Sequence, residues 1–252
     1  MINIVIPMAG AGSRFAKAGY VDPKPLIKID GYAMIELVIN NLKPKEEHRF
    51  IFICQKKHVD QYDLRNKLTG WAPNCEVIEI DSLTEGAACT VLCAKQFIND
   101  DNPLMIANSD QYVDIDINDY LDFMKNNSLD GLIMTMDAND PKWSYVGFDD
   151  EGKVNRVVEK EAISNEATVG IYNFKKGSDF IKSAENMIKQ ELRVNGEYYV
   201  APVYNQLIQK NWKVGVFSIG SEANGMYGLG IPSDLDLFKS LPICKKAIEA
   251  IR

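Results

Sequence analysis

The chain has 252 residues, which suits one large α/β domain or two small ones. Hydrophobic residues make up 46% and charged residues 25%, an ordinary globular balance, and the net charge is −7. A surface of that sign repels nucleic acid and anionic membranes, so the expected ligands are small molecules, with any anion held in a locally basic pocket. The five cysteines (Cys54, Cys75, Cys89, Cys93 and Cys244) include no CxxC and no zinc-like spacing. Cys89 and Cys93, four apart on an expected helix, read as buried thiols rather than a redox pair. No apolar segment approaches the ~20 residues that span a bilayer, and the N-terminus lacks a signal peptide's basic region. These features predict a soluble, reduced, cytoplasmic protein with neither a nucleic-acid nor a membrane partner.

The first half alternates strand and helix signals. Ile2–Ile6 reads as a buried strand bounded by Pro7. Tyr32–Leu42 has helical spacing through Ile35, Val38, Ile39 and Leu42. Phe50–Cys54 reads as a strand, His58–Leu68 as a helix, Val77–Ile80 as a strand and Ala87–Ile98 as a helix. Leu104–Ala107 is a strand ending at Asn108-Ser109-Asp110, Ile117–Met124 a helix and Gly131–Met136 a strand. This βαβ order implies an α/β fold with a mainly parallel sheet and helices on both faces. Ligands of such sheets bind beyond the C-terminal strand ends. In the second half, Tyr145–Phe148, Asn155–Glu159, Thr168–Phe174 and Lys213–Ser218 read as strands. Ser178–Ile188 reads as a helix, and Ser233–Ile251 as a C-terminal helix with a break at Pro242. No linker interrupts the chain. We expect one continuous domain, with residues 1–136 as a nucleotide-binding half and 137–252 as an acceptor-binding half.

After the first strand comes the turn Met8-Ala9-Gly10-Ala11-Gly12-Ser13, followed by Arg14 and, ten residues on, by Lys24 between Pro23 and Pro25. Small residues let backbone N–H groups approach an anion closely. Two cations at the same sheet edge suit a polyphosphate. The third position of a dinucleotide fingerprint is Phe15, and no carboxylate ends the second strand, so GxGxxG is incomplete.

Gly10-Ala11-Gly12-Ser13-Arg14-Phe15 with Pro23-Lys24-Pro25-Leu26 and Gly31 resembles the signature of nucleotidyltransferases acting on sugar 1-phosphates and related phosphomonoesters. The resemblance continues through Thr84-Glu85-Gly86-Ala87-Ala88, Asn108-Ser109-Asp110, Glu159-Lys160, Val169-Gly170-Ile171-Tyr172 and Gly230-Ile231-Pro232. It implies a Rossmann-like domain similar to that of GT-A glycosyltransferases. It also implies attack by an acceptor phosphate on the α-phosphorus of a nucleoside triphosphate. Under it, Met8 to Ser13, Thr84, Glu85, Gly86, Asn108 and Ser109 hold the nucleotide. Asp110 binds Mg²⁺, and Glu159 and Lys160 face the acceptor. The nucleophile is already anionic and needs no general base, which fits a chain whose two histidines, His48 and His58, read as surface residues.

The obstacle to that reaction is repulsion between polyanions, which positioned cations relieve. Arg14 is assigned to the β- and γ-phosphates, Lys24 to the α-phosphate and acceptor phosphate, and Lys160 to the acceptor phosphate from the other side. The family's second metal aspartate has Gly228 in its place; Asp234 or Asp236 would substitute, although Asp234 also suits a helix cap. Asp114 and Asp116 form a DxD, with Asp116 placed to cap the helix from Ile117. Gly147, Glu197, Tyr198 and Tyr199 are expected to shape the acceptor pocket. The pattern looks closest to cytidylyltransferases of capsule and surface-polysaccharide loci, which implies CTP and L-glutamine phosphate. A GT-A glycosyltransferase and a non-catalytic nucleotide sensor remain as alternatives. An exposed apolar stripe on the C-terminal helix would suit a homodimer.

Overall fold

The first strand explains why a sheet lies at the centre of the molecule. In β1 (Ile2–Pro7), Ile2, Ile4 and Ile6 enter one buried cluster and Val5 enters another. A strand buried on both faces must sit between two layers of helices. The structure, a computed structural model, describes residues 1–251.

After β1 come α1 (Ser13–Lys17), a 3₁₀ turn at Lys24–Leu26, the paired short strands β2 (Lys28–Ile29) and β3 (Tyr32–Ala33), and α2 (Met34–Leu42). Next are β4 (His48–Gln55), α3 (Lys56–Tyr62), α4 (Leu64–Trp71), β5 (Glu76–Ile80), α5 (Ala87–Leu92) and α6 (Lys95–Ile98). β6 (Leu104–Ala107), β7 (Gln111–Val113), α7 (Ile117–Asn126) and β8 (Gly131–Asp137) follow. The remainder is β9 (Ser144–Phe148), β10 (Val154–Glu159), β11 (Glu166–Phe174), α8 (Gly177–Lys189), α9 (Tyr204–Ile208), β12 (Val214–Glu222), β13 (Gly225–Gly228), α10 (Pro232–Ser240) and α11 (Pro242–Glu249).

One 11-stranded sheet runs β5-β4-β1-β6-β11-β8-β12-β13-β7, with the β9–β10 hairpin attached to β11. The pairs β4–β5, β1–β4, β1–β6, β8–β12 and β12–β13 are parallel. β11 runs antiparallel to both β6 and β8, so the sheet is mixed and mainly parallel, as expected. β1 and β6 are adjacent and point the same way. Their C-terminal ends therefore deliver the Met8–Ser13 turn and Asn108–Asp110 to one edge.

Several expected elements are subdivided. The helix expected over 58–68 breaks at Asp63, whose φ of 50° is left-handed. The helix expected over 87–98 breaks after Leu92, where the Cys93 and Ala94 N–H groups bond three residues back and tighten the turn. That break leaves Cys93 exposed and Cys89 half-buried, so the expectation of two buried thiols fails. Tyr32 and Ala33 belong to a strand rather than to α2. β7 and β13, which pair with each other, are too short to show periodicity and were not expected. His48 and His58 are half-buried at either end of β4 rather than on the surface.

The break at Pro242 is present, with proline at the first position of α11. The apolar stripe of α11, with Ile243, Cys244, Ala247 and Ile248, faces inward against Phe15, Leu229 and Phe238, which removes the ground for a dimer stripe. No helix among the described residues is long and apolar enough to cross a membrane.

Two asparagines act as surrogate strand edges. Asn41 Nδ2 donates to the Val113 carbonyl and its Oδ1 accepts from the Val113 N–H, both at 2.8 Å. Asn205 treats Val157 of β10 in the same way, also at 2.8 Å. Each satisfies a backbone donor and acceptor that have no neighbouring strand on that side. Asn205→Leu leaves both Val157 groups unpaired, and denaturant titration is expected to show a loss of about 1–3 kcal/mol of unfolding free energy.

Candidate active site

Met8 and Ala9 are buried where the turn leaves β1, and Gly10 and Ala11 open to solvent. With Lys24, Thr84, Gly86, Asn108, Ser109, Asp110 and Glu197 they line a cavity of about 490 Å³. Lys24 enters it from a 3₁₀ turn whose φ angles at Pro23 and Pro25 are locked by their rings. Its Nζ lies 2.8 Å from Asp110 Oδ2 at the end of β6, with each side chain about a quarter exposed.

A second cavity, of about 240 Å³, shares Asn108 and Asp110 with the first and adds Arg14, Gln111, Lys142, Trp143 and Asp234. Phe15, buried against α10 and α11, anchors α1 so that its neighbour Arg14 faces this space. Two glycines make room for the carboxylates here. A Cβ on Gly230 would sit 2.5 Å from Asp110 Oδ2, and one on Gly228 would sit 3.2 Å from Asp234 Oδ2. Burial pushes the Asp234 carboxyl above its usual range, with repulsion from Glu222 adding to the effect. No helix-capping hydrogen bond by Asp234 is formed.

Among the described residues no group of three or more His, Cys, Asp or Glu forms a metal cage. A pair of oxygen ligands on the wall of a phosphate-sized cavity nevertheless fits Mg²⁺, which commonly takes one or two carboxylates and fills its shell with substrate phosphates and water.

The polypeptide around Asp110 is shaped by Gly170. Its φ of 83° falls at a register shift in β11, and a Cβ there would collide with the Asn108 side chain. The Gly170 carbonyl accepts from the Asn108 N–H at 3.1 Å, which fixes the start of Asn108-Ser109-Asp110.

Of the residues expected to face the acceptor, Glu197 alone lines either cavity described above, and Glu159 and Lys160 line neither. Lys160 has a left-handed φ of 60°, and its Nζ donates to Tyr199 Oη at 2.7 Å. That hydroxyl raises the Lys160 ammonium pKa. Glu159 is buried and accepts from Ser144 Oγ; burial pushes its carboxyl pKa up. Glu197 lines the larger cavity.

Tyr198 does not face an acceptor pocket. Its ring is 1% exposed in the core, and its backbone holds the 84–88 loop. The Tyr198 N–H donates to the Glu85 carbonyl at 2.8 Å, and its carbonyl accepts from the Ala88 N–H at 3.0 Å. The fit requires glycine at 86, because a Cβ there would lie 2.5 Å from the Tyr198 oxygen. Glu85 pairs with Arg193 at 3.2 Å and lines neither cavity.

Gly147 is buried in β9, where Arg156 and Ile163 fill the space a Cβ would take, and it lines neither cavity. Gly12 borders an adjoining cavity of about 220 Å³, and Ser13 is exposed at the start of α1. The DxD is used structurally. Asp116 accepts from the Asn118 N–H at 2.9 Å to cap α7, and Asp114 pairs with Lys246 at 2.5 Å. Sequence reasoning assigned no role to Gln111 or Lys142. Tyr199 lies beside Tyr198, where strand-like alternation would have separated an inward ring from an outward one.

The sheet order and the loops at its C-terminal edge make this a Rossmann-like α/β protein of the nucleotidyltransferase type. The family model described as nucleotidyl transferase matches residues 4–207, and the chain belongs to that family. The bifunctional protein GlmU of Methanococcus maripaludis is 25% identical over 240 residues, covering 93% of this chain and 53% of that protein. Mannose-1-phosphate guanylyltransferase catalytic subunit beta of Drosophila pseudoobscura pseudoobscura is 25% identical over 179 residues, covering 68% and 47%. The chain spans about half the length of these curated relatives. Among solved structures, the nucleoside-diphosphate-sugar pyrophosphorylase of Vibrio cholerae matches with a TM-score of 0.80 at 27% identity, covering 94% of this chain and 100% of that one. The inositol-1-phosphate CTP transferase of T. maritima shares the fold, with a TM-score of 0.74 at 14% identity, covering 99% and 95%.

The raised pKa of Glu159 has a consequence for stability. A carboxyl whose folded pKa lies above its unfolded value stabilises fully below the unfolded pKa, ~4.3, and loses that contribution as pH rises through the folded one. Glu159→Gln removes the ionisation, so the variant's Tm relative to wild type is expected to be more favourable at pH 7 than at pH 4. A difference independent of pH counts against the burial effect.

Proposed function

We propose that the protein transfers a nucleoside monophosphate from a nucleoside triphosphate to the phosphate of a small phosphomonoester. The observation that carries this reading is the Lys24–Asp110 pair, 2.8 Å apart beside the wall shared by the two cavities. The larger cavity, bordered by the glycine-rich turn and the Thr84–Gly86 loop, suits the nucleotide. The space across Asp110, towards Trp143, suits the acceptor, and the Lys160 N–H donates to the Trp143 carbonyl at 2.9 Å. An acceptor phosphate oxygen bonds to the α-phosphorus, the bond from that phosphorus to the bridging oxygen breaks, and pyrophosphate leaves with the electron pair. Lys24 has three N–H donors, enough to keep Asp110 while contacting the α-phosphate and the incoming phosphate. Arg14 offers its planar fork to the leaving pyrophosphate, and Lys160 holds the acceptor phosphate.

Asp110 and Asp234 are the residues that would hold Mg²⁺. Bound there, the ion would screen charge on the phosphate oxygens. Within this reaction we take CTP as the nucleotide and L-glutamine phosphate as the acceptor, on the strength of the sequence resemblance, with a role in capsule or surface-polysaccharide synthesis. The mannose-1-phosphate guanylyltransferase among the relatives supports the reaction class, with a different base and acceptor.

The test is pyrophosphate release with Mg²⁺, crossing the four ribonucleoside triphosphates and dTTP with sugar 1-phosphates, phosphocholine and L-glutamine phosphate. Release is expected with CTP and L-glutamine phosphate. Lys24→Ala is expected to lower kcat by roughly 10²–10³, the scale for losing one charge-stabilising donor. A variant within about twofold of wild type removes Lys24 from the reaction. For the metal, Mn²⁺ binding in the presence of CTP is read by electron paramagnetic resonance. Asp110→Asn and Asp234→Asn are each expected to weaken it by about tenfold or more. Unchanged binding in either variant removes that carboxylate from the site.

A further inference from the structure

At the end of β4, next to the glycine-rich turn, Gln55 is buried at 8% exposure and does not line the cavities described above. Its Nε2 donates to the Ala9 carbonyl at 2.7 Å and to the Gly10 carbonyl at 3.0 Å. The carboxamide nitrogen carries two hydrogens, and both are used. The backbone ladder between β1 and β4 has ended just before this point, its last rung running from the Met8 N–H to the Ile53 carbonyl at 2.9 Å. The Gln55 side chain carries the pairing two residues further, where the chain has already turned away.

A trans peptide points its carbonyl and the following N–H in opposite directions. Drawing the Ala9 carbonyl towards Gln55 therefore sends the Gly10 N–H the other way. Drawing the Gly10 carbonyl there does the same for the Ala11 N–H. The cavity is bordered by Ala9, Gly10 and Ala11. Among the described residues neither of those two N–H groups donates to another protein atom. Reversed peptide planes would present two carbonyl dipoles, negative ends outward, to an anionic ligand.

We propose that Gln55 is a positioning residue for the nucleotide. It locks the Ala9–Gly10 and Gly10–Ala11 peptides so that their N–H groups face the triphosphate-bearing ligand. The proposal rests on the nucleotidyltransferase reading and adds to it a residue that touches no substrate. Uniform binding of this kind acts on KM for the nucleotide and leaves kcat little changed.

The test measures CTP affinity by calorimetry, without acceptor, and KM and kcat by pyrophosphate release, for wild type, Gln55→Leu, Gln55→Glu and Gln55→Asn. Gln55→Leu is expected to weaken CTP binding about tenfold with kcat within about threefold of wild type. Gln55→Asn, one methylene shorter, keeps an amide donor and is expected to fall between. Gln55→Glu donates one hydrogen when protonated and none when ionised. Its deficit relative to wild type is therefore expected to grow as pH rises from 5 to 8. Wild type supplies the background, because it carries the same neighbouring Lys56, Lys57 and His58. If Gln55→Leu does not fold, the pH dependence of Gln55→Glu decides alone. A Gln55→Glu affinity that tracks wild type across that range, or a loss confined to kcat and Tm, overturns the proposal while leaving the transferase reading intact. Absence of triphosphate binding by wild type overturns both.

Discussion

The contact between Lys24 and Asp110 organises the rest of the site. It spans 86 residues of sequence and joins a proline-locked turn to the end of β6. In a part-buried ion pair of this kind desolvation offsets much of the Coulombic gain, so its net contribution to stability is small. Its importance is positional. A lysine on a flexible loop would spend its time in solvent. One framed by Pro23 and Pro25 and drawn to a carboxylate stays at the wall of the larger cavity. The same carboxylate borders both cavities, so each ligand would be placed relative to one shared group. Arg14, Lys24, Asp110 and Asp234 thus reach two adjoining cavities from four segments of the chain, namely α1, the Lys24 turn, the loop after β6 and α10.

Glycine supplies much of the remaining shape, and it does so as missing volume. Gly86 lets the 84–88 loop lie directly on the backbone of Tyr198, so that wall of the larger cavity is braced by a segment from the second half of the chain. Gly170 gives Asn108 the space that a side chain in β11 would fill. Gly228 and Gly230 leave room for the carboxylates of Asp234 and Asp110. Gly86, Gly170 and Gly230 each sit against a residue distant in sequence, so local patterning does not show their purpose.

Much of the fold was legible because its strands carry strong signals. Leu104–Ala107 is a strand as expected, and β1 differs by one residue, since buried parallel strands are short β-branched runs with sharp ends. Helix breaks were less legible. Asp63 adopts a left-handed turn in a stretch whose apolar spacing passes straight through it, and no glycine or proline marks the place. At the site, Arg14, Lys24, Asp110, Thr84, Gly86 and Glu197 were found from motif and charge, and the structure brings them to adjoining cavities. Tyr198 and Gly147 were misread for a common reason. Aromatic and glycine residues in a polar stretch resemble a pocket in sequence, yet their facing is set by tertiary packing. Tyr198 turns into the core while Tyr199 turns to Lys160.

The glycine at 228 is best understood together with Asp234. The family resemblance places a metal aspartate at 228, on the end of a strand, where ladder hydrogen bonds hold the backbone. Here the oxygen at that place belongs to Asp234, on the first turn of α10, and it occupies space that a side chain at 228 would contest. The helix N-terminus favours a negative charge at that turn, whereas burial and Glu222 disfavour it, and the pKa of the carboxyl rises as a result. Arg14 and Lys142, close enough to lower that pKa, oppose the rise. Burial and a nearby like charge thus leave the ionisation of this carboxyl dependent on the cations around it. A carboxylate on the helix rather than on the strand therefore still keeps an oxygen at the cavity wall, with an ionisation set by its neighbours there.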